Sequence, residues 1–137
     1  MAPKTEAYVD TSAQIAFLDC SDTYHPLFRK LFANPPQLLT SALVIAEGHG
    51  WFLRRYDQSR AIQFLNFISE LPGLDIRPFD GEELRKTSRL VKKFADPPLT
   101  LVDAHGLVII HAGRIPICWS TDRHLGLTGA RLVIQGA

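Results

Sequence analysis

The sequence predicts an α/β fold with a central, mainly parallel sheet of about five strands covered by helices on both faces. Short β-prone apolar runs alternate along the chain with longer segments in which apolar residues recur at helical spacing. Such strand-helix alternation implies right-handed crossovers and a parallel sheet. The length of 137 residues allows one domain with a substantial core, and no internal repeat or low-complexity segment interrupts the pattern.

The first third of the chain predicts a strand, two helices and a second strand. Residues 7–9 form a short apolar strand that ends at Asp10, and residues 12–18 have helical spacing. A second helix over residues 23–33 carries one apolar stripe and stops before Asn34, which is followed by two prolines. A second strand then follows over residues 37–40.

The middle third predicts two helices and a third strand. Ser41 is the expected N-cap of a helix over residues 42–56, which contains Glu47. Ser59 is the expected N-cap of the next helix, which ends before Pro72. Its expected buried face comprises Ile62, Phe64, Leu65, Ile68 and Leu71. Residues 74–77 form the third strand.

The last third predicts two helices and two strands. Asp80 caps a helix that is the most basic stretch of the chain, and Thr100 caps an apolar helix to about Ala112. The expected buried face of the basic helix comprises Leu84, Leu90 or Val91, and Phe94. A fourth strand over residues 115–119 leads to Asp122, and residues 131–134 close the sheet.

Composition excludes several classes of protein. No run approaches the roughly 20 apolar residues of a membrane span, and the polar first residues lack the apolar segment of a signal peptide, so we expect the cytoplasm. The net charge of +1 argues neither for nor against a polyanionic partner. The two cysteines, Cys20 and Cys118, have no C-x-x-C pairing and are expected to be buried free thiols. No zinc-binding histidine spacing and no G-x-S-x-G motif occurs.

Four acidic residues lie where a strand ends or a helix begins: Asp10, Glu47, Asp103 and Asp122. The carboxyl ends of parallel strands converge on one edge of a sheet. If the first strand is central, between the second and the fourth, Asp10 and Asp122 leave adjacent strand ends. Clustered carboxylates repel unless a cation neutralises them. The pattern therefore predicts a divalent-metal site.

Each acidic residue also has a purely structural interpretation. Asp10 could cap the first helix, Thr100 and Asp103 match a capping box, and Glu47 could be a solvated helix residue. Asp122 could be another N-cap. Asp96, before two prolines, is a weaker fifth candidate that we interpret as a turn residue. The joint occurrence of the other four at one sheet edge favours the metal site.

Four segments together resemble the PIN-domain nucleases, and within them the VapC-type toxins of toxin-antitoxin pairs. They are Tyr-Val-Asp-Thr-Ser-Ala at 8–13, Thr-Ser-Ala-Leu-Val-Ile-Ala-Glu at 40–47, Leu-Thr-Leu-Val-Asp-Ala at 99–104, and Ser-Thr-Asp-Arg-His at 120–124. The match runs nearly end to end. It implies one PIN-like domain over residues 1–137, with residues 1–6 as a short polar extension.

The resemblance implies that Asp10, Glu47, Asp103 and Asp122 are the catalytic residues and hold one or two Mg²⁺ or Mn²⁺ ions. Ser12 and Thr121 would be hydroxyl neighbours of the site. The implied activity is a metal-dependent endoribonuclease acting on single-stranded RNA, with an antitoxin partner and a homodimer. A housekeeping RNA-processing nuclease, or a PIN-like binding module with little turnover, is the alternative.

Two features modify this expectation. The segments Gly48-His49-Gly50, after Glu47, and His105-Gly106, after Asp103, stand where aliphatic residues are more usual in the family. We therefore expect the glycines to loosen both helices and, with them, the placement of Glu47. The basic helix could contact RNA phosphates, although charged runs usually form a solvated surface. The candidate RNA contacts are Arg85, Lys86, Arg89 and Lys92.

Overall fold

The computed structural model describes residues 6–94, 98–126 and 129–136. Within them the chain forms one five-stranded sheet with the order β3-β2-β1-β4-β5, and all its pairings are parallel. The strands are β1 Glu6–Val9, β2 Gln37–Ser41, β3 Asp75–Arg77, β4 Ile117–Trp119 and β5 Arg131–Leu132. The predicted parallel sheet is confirmed, and β1 lies between β2 and β4, which is the arrangement that places Asp10 and Asp122 at adjacent strand ends. Residues 1–5 of the expected extension and Asp96 lie outside the described residues.

The helices connect the strands in the predicted alternation. They are α1 Thr11–Leu18, α2 His25–Ala33, α3 Ala42–Arg55, α4 Gln58–Glu70, α5 Gly81–Lys93 and α6 Leu101–Gly113, with 3₁₀ turns at Arg123–Gly126 and Val133–Gly136. Among the described residues, none of the helices combines the length and the apolar character that crossing a membrane requires.

Side chains of the central strand alternate between two cores. Tyr8 packs with Leu107 and Ile110 of α6, whereas Ala7 and Val9 pack in a second core with residues of α1 and α2. Because successive strand residues point to opposite faces, these two cores lie on opposite sides of the sheet. Helices therefore cover both faces, as predicted.

Helix α4 begins two residues earlier than its predicted cap implies. Its N-cap is Asp57, whose carboxylate accepts a hydrogen bond from the Arg60 backbone N–H at 2.9 Å. Ser59 lies inside the helix, so its assignment as the cap is wrong. Asp and Ser cap helices about equally well, and apolar periodicity does not decide between two such residues two positions apart.

The buried face of α4 also differs from the prediction. Ala61, Phe64 and Ile68 are buried, whereas the Ile62 and Leu65 side chains are 47% and 38% exposed. The buried residues follow the spacing of three and four that one helix face requires. The small Ala61 lies on that face, and a prediction weighted towards large side chains missed it.

Helix α5 and the last two strands show smaller differences. Leu84 is exposed, and the residue that α5 buries completely is Thr87. Strand β4 begins at Ile117 because the Ile115 N–H still bonds to the Ile110 carbonyl at the end of α6, at 3.0 Å. Strand β5 ends at Leu132, where a 3₁₀ turn begins.

Two glycines allow close packing of helices instead of loosening them. A Cβ atom at Gly48 would collide with the Phe64 ring, and one at Gly106 would lie 2.9 Å from the Tyr8 hydroxyl. Helices α3 and α6 are continuous across these positions. The expectation of looser helices is therefore not met, because each glycine lies where its helix approaches a neighbouring aromatic ring.

Candidate metal centre

Asp10 leaves the central strand and is held by two serines. Its backbone N–H donates to the Trp119 carbonyl at 3.0 Å, which extends the β1-β4 pairing. Its carboxylate Oδ2 accepts hydrogen bonds from Ser12 Oγ at 2.9 Å and from Ser120 Oγ at 3.0 Å. Asp10 occupies the N-cap position of α1, but its side chain makes no capping hydrogen bond. The capping interpretation therefore does not account for this carboxylate.

The same serines fix the segment that leads to Asp122. Ser12 Oγ accepts from the Thr121 backbone N–H at 3.0 Å, and Ser120 Oγ accepts from the Asp122 backbone N–H at 2.8 Å. Thr121, named as a hydroxyl neighbour, makes this contact through its backbone. Ser120 was missed, although it follows β4 directly, just as Asp10 follows β1. The position directly after a strand, which Ser120 shares with Asp10, was the sequence signal that could have identified it.

Asp103 lies in the first turn of α6. The Thr100 side chain is the N-cap and accepts from the Asp103 backbone N–H at 3.1 Å. The predicted capping role of Thr100 is therefore confirmed. Capping and ligand roles are compatible here, since the cap fixes the backbone from which the Asp103 carboxylate projects.

The four acidic residues share one electrostatic environment. Burial raises the pKa of Asp10 to about 6, and the charge of Asp103 adds to this effect against the hydrogen bond from Ser12. Burial also raises the pKa of Asp103, as do the charges of Asp122 and Glu47, against the hydrogen bonds from Thr100. Asp10 is buried and the other three are half-buried. The structure thus places Asp103 within electrostatic reach of Asp10, Glu47 and Asp122.

The donor chemistry of this set fits a hard divalent cation. Carboxylate and hydroxyl oxygens are the ligands of Mg²⁺ and Mn²⁺, and a cation would favour the ionised carboxylates that burial and neighbouring charges disfavour. Within the described ranges, no three Asp, Glu, His or Cys side chains are gathered tightly enough to form a metal site as they stand. Carboxylate rotamers would therefore have to adjust on binding.

Two buried groups, the Tyr8 hydroxyl and the Cys118 thiol, lie close enough to Asp10 to be affected by its charge. Burial and then the Asp10 charge raise the pKa of the Tyr8 hydroxyl well above its ordinary value, and no described residue forms a hydrogen bond with this hydroxyl. Burial also raises the pKa of the Cys118 thiol, which keeps it protonated. Cys118 is buried as expected, whereas Cys20 is exposed, contrary to expectation.

The basic residues of α5 lie in two places. Lys86 and Arg89 line a groove of about 1170 Å³ between α5 and α6, together with Arg77 and Lys93. The described residues that line this groove include none of the four acidic residues. Arg85 and Lys92 are exposed outside it.

Comparison with known proteins identifies the architecture. A family model described as PIN domain matches residues 7–129. No curated protein matches the chain. The structure of VapC20 from Mycobacterium tuberculosis, described as a sarcin-ricin loop cleaving toxin, superposes with a TM-score of 0.81 at 20% identity, covering 90% of this chain and 95% of that chain. A toxin-antitoxin complex from Klebsiella pneumoniae superposes with a TM-score of 0.59 at 21% identity, covering 93% and 95%. At these identities the likeness concerns the fold.

Proposed function

Since this chain belongs to the PIN domain family, we propose that it is a metal-dependent endoribonuclease that hydrolyses phosphodiester bonds in single-stranded or loop RNA. The observation that carries this proposal is the acidic edge, which we define as Asp10, Glu47, Asp103 and Asp122. Its members come from four separate segments, and Asp103 is electrostatically linked to the other three. Four solvated capping residues in separate segments would have no reason to lie close enough for Asp103 to feel the charges of Glu47 and Asp122.

Asp10 and Asp103 are the proposed main ligands, because one ion must be held from at least two chain segments to be rigidly placed. Glu47 and Asp122 would bind it through water or hold a second ion. When bound by these carboxylates, Mg²⁺ or Mn²⁺ would lower the pKa of a water for attack on the phosphate and would offset the charge that develops there. Ser12 and Ser120 orient the Asp10 carboxylate through Oδ2.

Total RNA incubated with the purified protein and Mn²⁺ or Mg²⁺ tests this activity. We expect discrete products from the wild type, and none with EDTA or with Asp10→Asn. The matched control is Asp75→Asn, which alters a carboxylate that is 45% exposed and paired with Arg77, and it should cut normally. Normal cleavage by Asp10→Asn would overturn the assignment. Absence of products from folded wild type with several RNA classes would favour the binding-module alternative.

A toxin role is the proposed biological context, supported by the likeness to VapC20 and to a toxin-antitoxin complex. A small antitoxin would then cover the acidic edge, and a homodimer would bring two sites together. Induced expression in bacterial cells should arrest growth, whereas expression of Asp10→Asn should not. Normal growth with an active nuclease would instead indicate a housekeeping RNA-processing enzyme. We expect the protein to act in the cytoplasm, where its RNA substrate would be.

The basic residues of α5 are proposed RNA contacts. Phosphate contacts release counterions, so their number sets the salt dependence of binding. We expect simultaneous replacement of Arg85, Lys86, Arg89 and Lys92 by Ala to raise KM and to flatten the dependence of RNA affinity on salt. An unchanged salt slope would show that these residues form only a solvated surface.

A further inference from the structure

His105 makes a buried hydrogen-bonded bridge between three elements. Its Nδ1 lies 2.6 Å from Ser41 Oγ, at the junction of β2 and α3, and its Nε2 lies 3.1 Å from Glu83 Oε2 on α5. Ser41 and His105 are fully buried, and the ring of Phe79 packs edge-on against the imidazole at 4.8 Å. Because of this burial, the Ser-His-Glu order is not a hydrolase triad, since no substrate could reach Ser41.

The direction of each hydrogen bond follows from the donors present. Ser41 Oγ already accepts from the Leu43 backbone N–H at 3.0 Å, as the N-cap of α3. Its own proton is therefore free to go to His105 Nδ1, which leaves the ring proton on Nε2 to donate to Glu83. Every polar atom of the imidazole is thereby satisfied, and a satisfied buried network fixes the orientation of the elements that it joins.

The elements joined in this way carry two of the acidic residues. Ser41 is the N-cap of α3, which bears Glu47, and His105 follows Asp103 by two positions on α6. The neighbouring Gly106 lies so close to β1 that a Cβ atom there would be 2.9 Å from the Tyr8 hydroxyl. The beginning of α6 is thus fixed at two successive residues. His105 is held by hydrogen bonds to Ser41 and Glu83, and Gly106 packs closely against Tyr8.

We propose that His105 is a positioning residue that sets the placement of Asp103 relative to Glu47 through its bridge to Ser41 and Glu83. This inference rests on the proposed metal site and deepens it. An aliphatic side chain of similar volume would fill the same space, so packing alone does not account for a buried imidazole with two directed hydrogen bonds. The bridge is expected to matter for metal affinity more than for stability.

The test is direct Mn²⁺ binding, measured by the loss of the free-ion electron paramagnetic resonance signal, for wild type, His105→Leu and the control His111→Leu, which alters an exposed histidine of the same helix. Loss of a group that orients metal ligands typically weakens affinity about 10- to 100-fold, so we expect at least about a tenfold rise in Kd for His105→Leu and none for His111→Leu. Saturating Mn²⁺ should restore RNA cleavage by His105→Leu. Equal Kd values in folded wild type and His105→Leu would overturn the inference.

A pair of Glu83 variants keeps the test decisive if His105→Leu fails to fold. Glu83→Gln retains an oxygen acceptor for Nε2–H and should preserve the Mn²⁺ affinity, whereas Glu83→Leu should weaken it. Equal affinities for these two variants would overturn the bridge. A wild type that binds no Mn²⁺ would instead overturn the proposed metal site itself, so the two failures are distinguishable.

Discussion

Two neighbouring regions of this molecule have opposite effects on the stability of the fold. One is the aromatic cluster, defined as Phe17, Phe28, Phe32, Phe67 and Trp119, in which the rings of Phe32 and Trp119 lie 4.9 Å apart, edge to face. The other is the acidic edge, where burial opposes the ionisation of Asp10. The end of β4 connects them, because Trp119 belongs to the aromatic cluster and the next residue, Ser120, donates a hydrogen bond to Asp10. The first region stabilises the fold, whereas the second contains a buried carboxylate whose ionisation works against the fold.

Removal of a central ring should have the largest effect on stability. Phe32 contacts Phe17, Phe28, Phe67 and Trp119, and Phe→Ala in a core typically costs about 3–5 kcal/mol. We expect Phe32→Ala to lower the free energy of unfolding by that amount in urea titrations. Leu53→Ala, at a residue 45% exposed, is the control and should change it by less than about 0.5 kcal/mol. Equal losses of unfolding free energy for Phe32→Ala and Leu53→Ala would show that the aromatic cluster stabilises the fold no more than an exposed side chain does.

The acidic edge should make stability fall as pH rises. The Asp10 carboxyl has its ordinary pKa of 3.8 in the unfolded chain and a pKa of about 6 in the folded, metal-free protein. Between these values the folded state holds more protons, so its stability decreases with pH, by about 2–3 kcal/mol. Urea titrations in EDTA from pH 4 to 7 should show this decrease for wild type minus Asp10→Asn. A flat difference would contradict the raised pKa of Asp10.

The two glycines of α3 should respond in opposite directions. A methyl group at Gly48 would collide with the buried Phe64 ring, whereas at Gly50 it would meet the flexible end of Arg54. We expect Gly48→Ala to destabilise the protein by about 1–3 kcal/mol through overpacking. Gly50→Ala should stabilise it by up to about 1 kcal/mol through helix propensity. Thermal unfolding measures both, and a stabilising Gly48→Ala would contradict the close approach of α3 and α4.

The smallest expected effect concerns the cap beside Asp103. Thr100→Ala removes the acceptor for the Asp103 backbone N–H and should cost about 1 kcal/mol. Ser59→Ala, at the residue wrongly predicted to cap α4, should cost less than about 0.5 kcal/mol. A larger cost for Ser59→Ala than for Thr100→Ala, measured by thermal unfolding, would reverse our assignment of the two caps.

Features that depend on residues close together in the sequence were predictable. Features that depend on contacts between residues far apart in the sequence were not. Periodicity and turn residues predicted the alternation of strands and helices and the helix that Thr100 caps. The hydrogen bond from Ser120 to Asp10 joins residues 110 positions apart, and the bridge from Ser41 to His105 joins residues 64 apart. From the neighbouring sequence alone, Gly48 predicts a weakened helix. Only the packing of α4 against α3 explains why a residue without a Cβ atom lies there.

The central claim, that the acidic edge is a cation site, predicts a reversal of stability. In EDTA at neutral pH, Asp10→Asn should be more stable than wild type because it lacks the buried charge. With saturating Mn²⁺ the order should reverse, because an ion that binds only the folded state stabilises it and wild type retains the ligand. The measurement is the free energy of unfolding of both proteins in both conditions. An equal response of both proteins to Mn²⁺, or a wild type that is already the more stable in EDTA, would contradict the account.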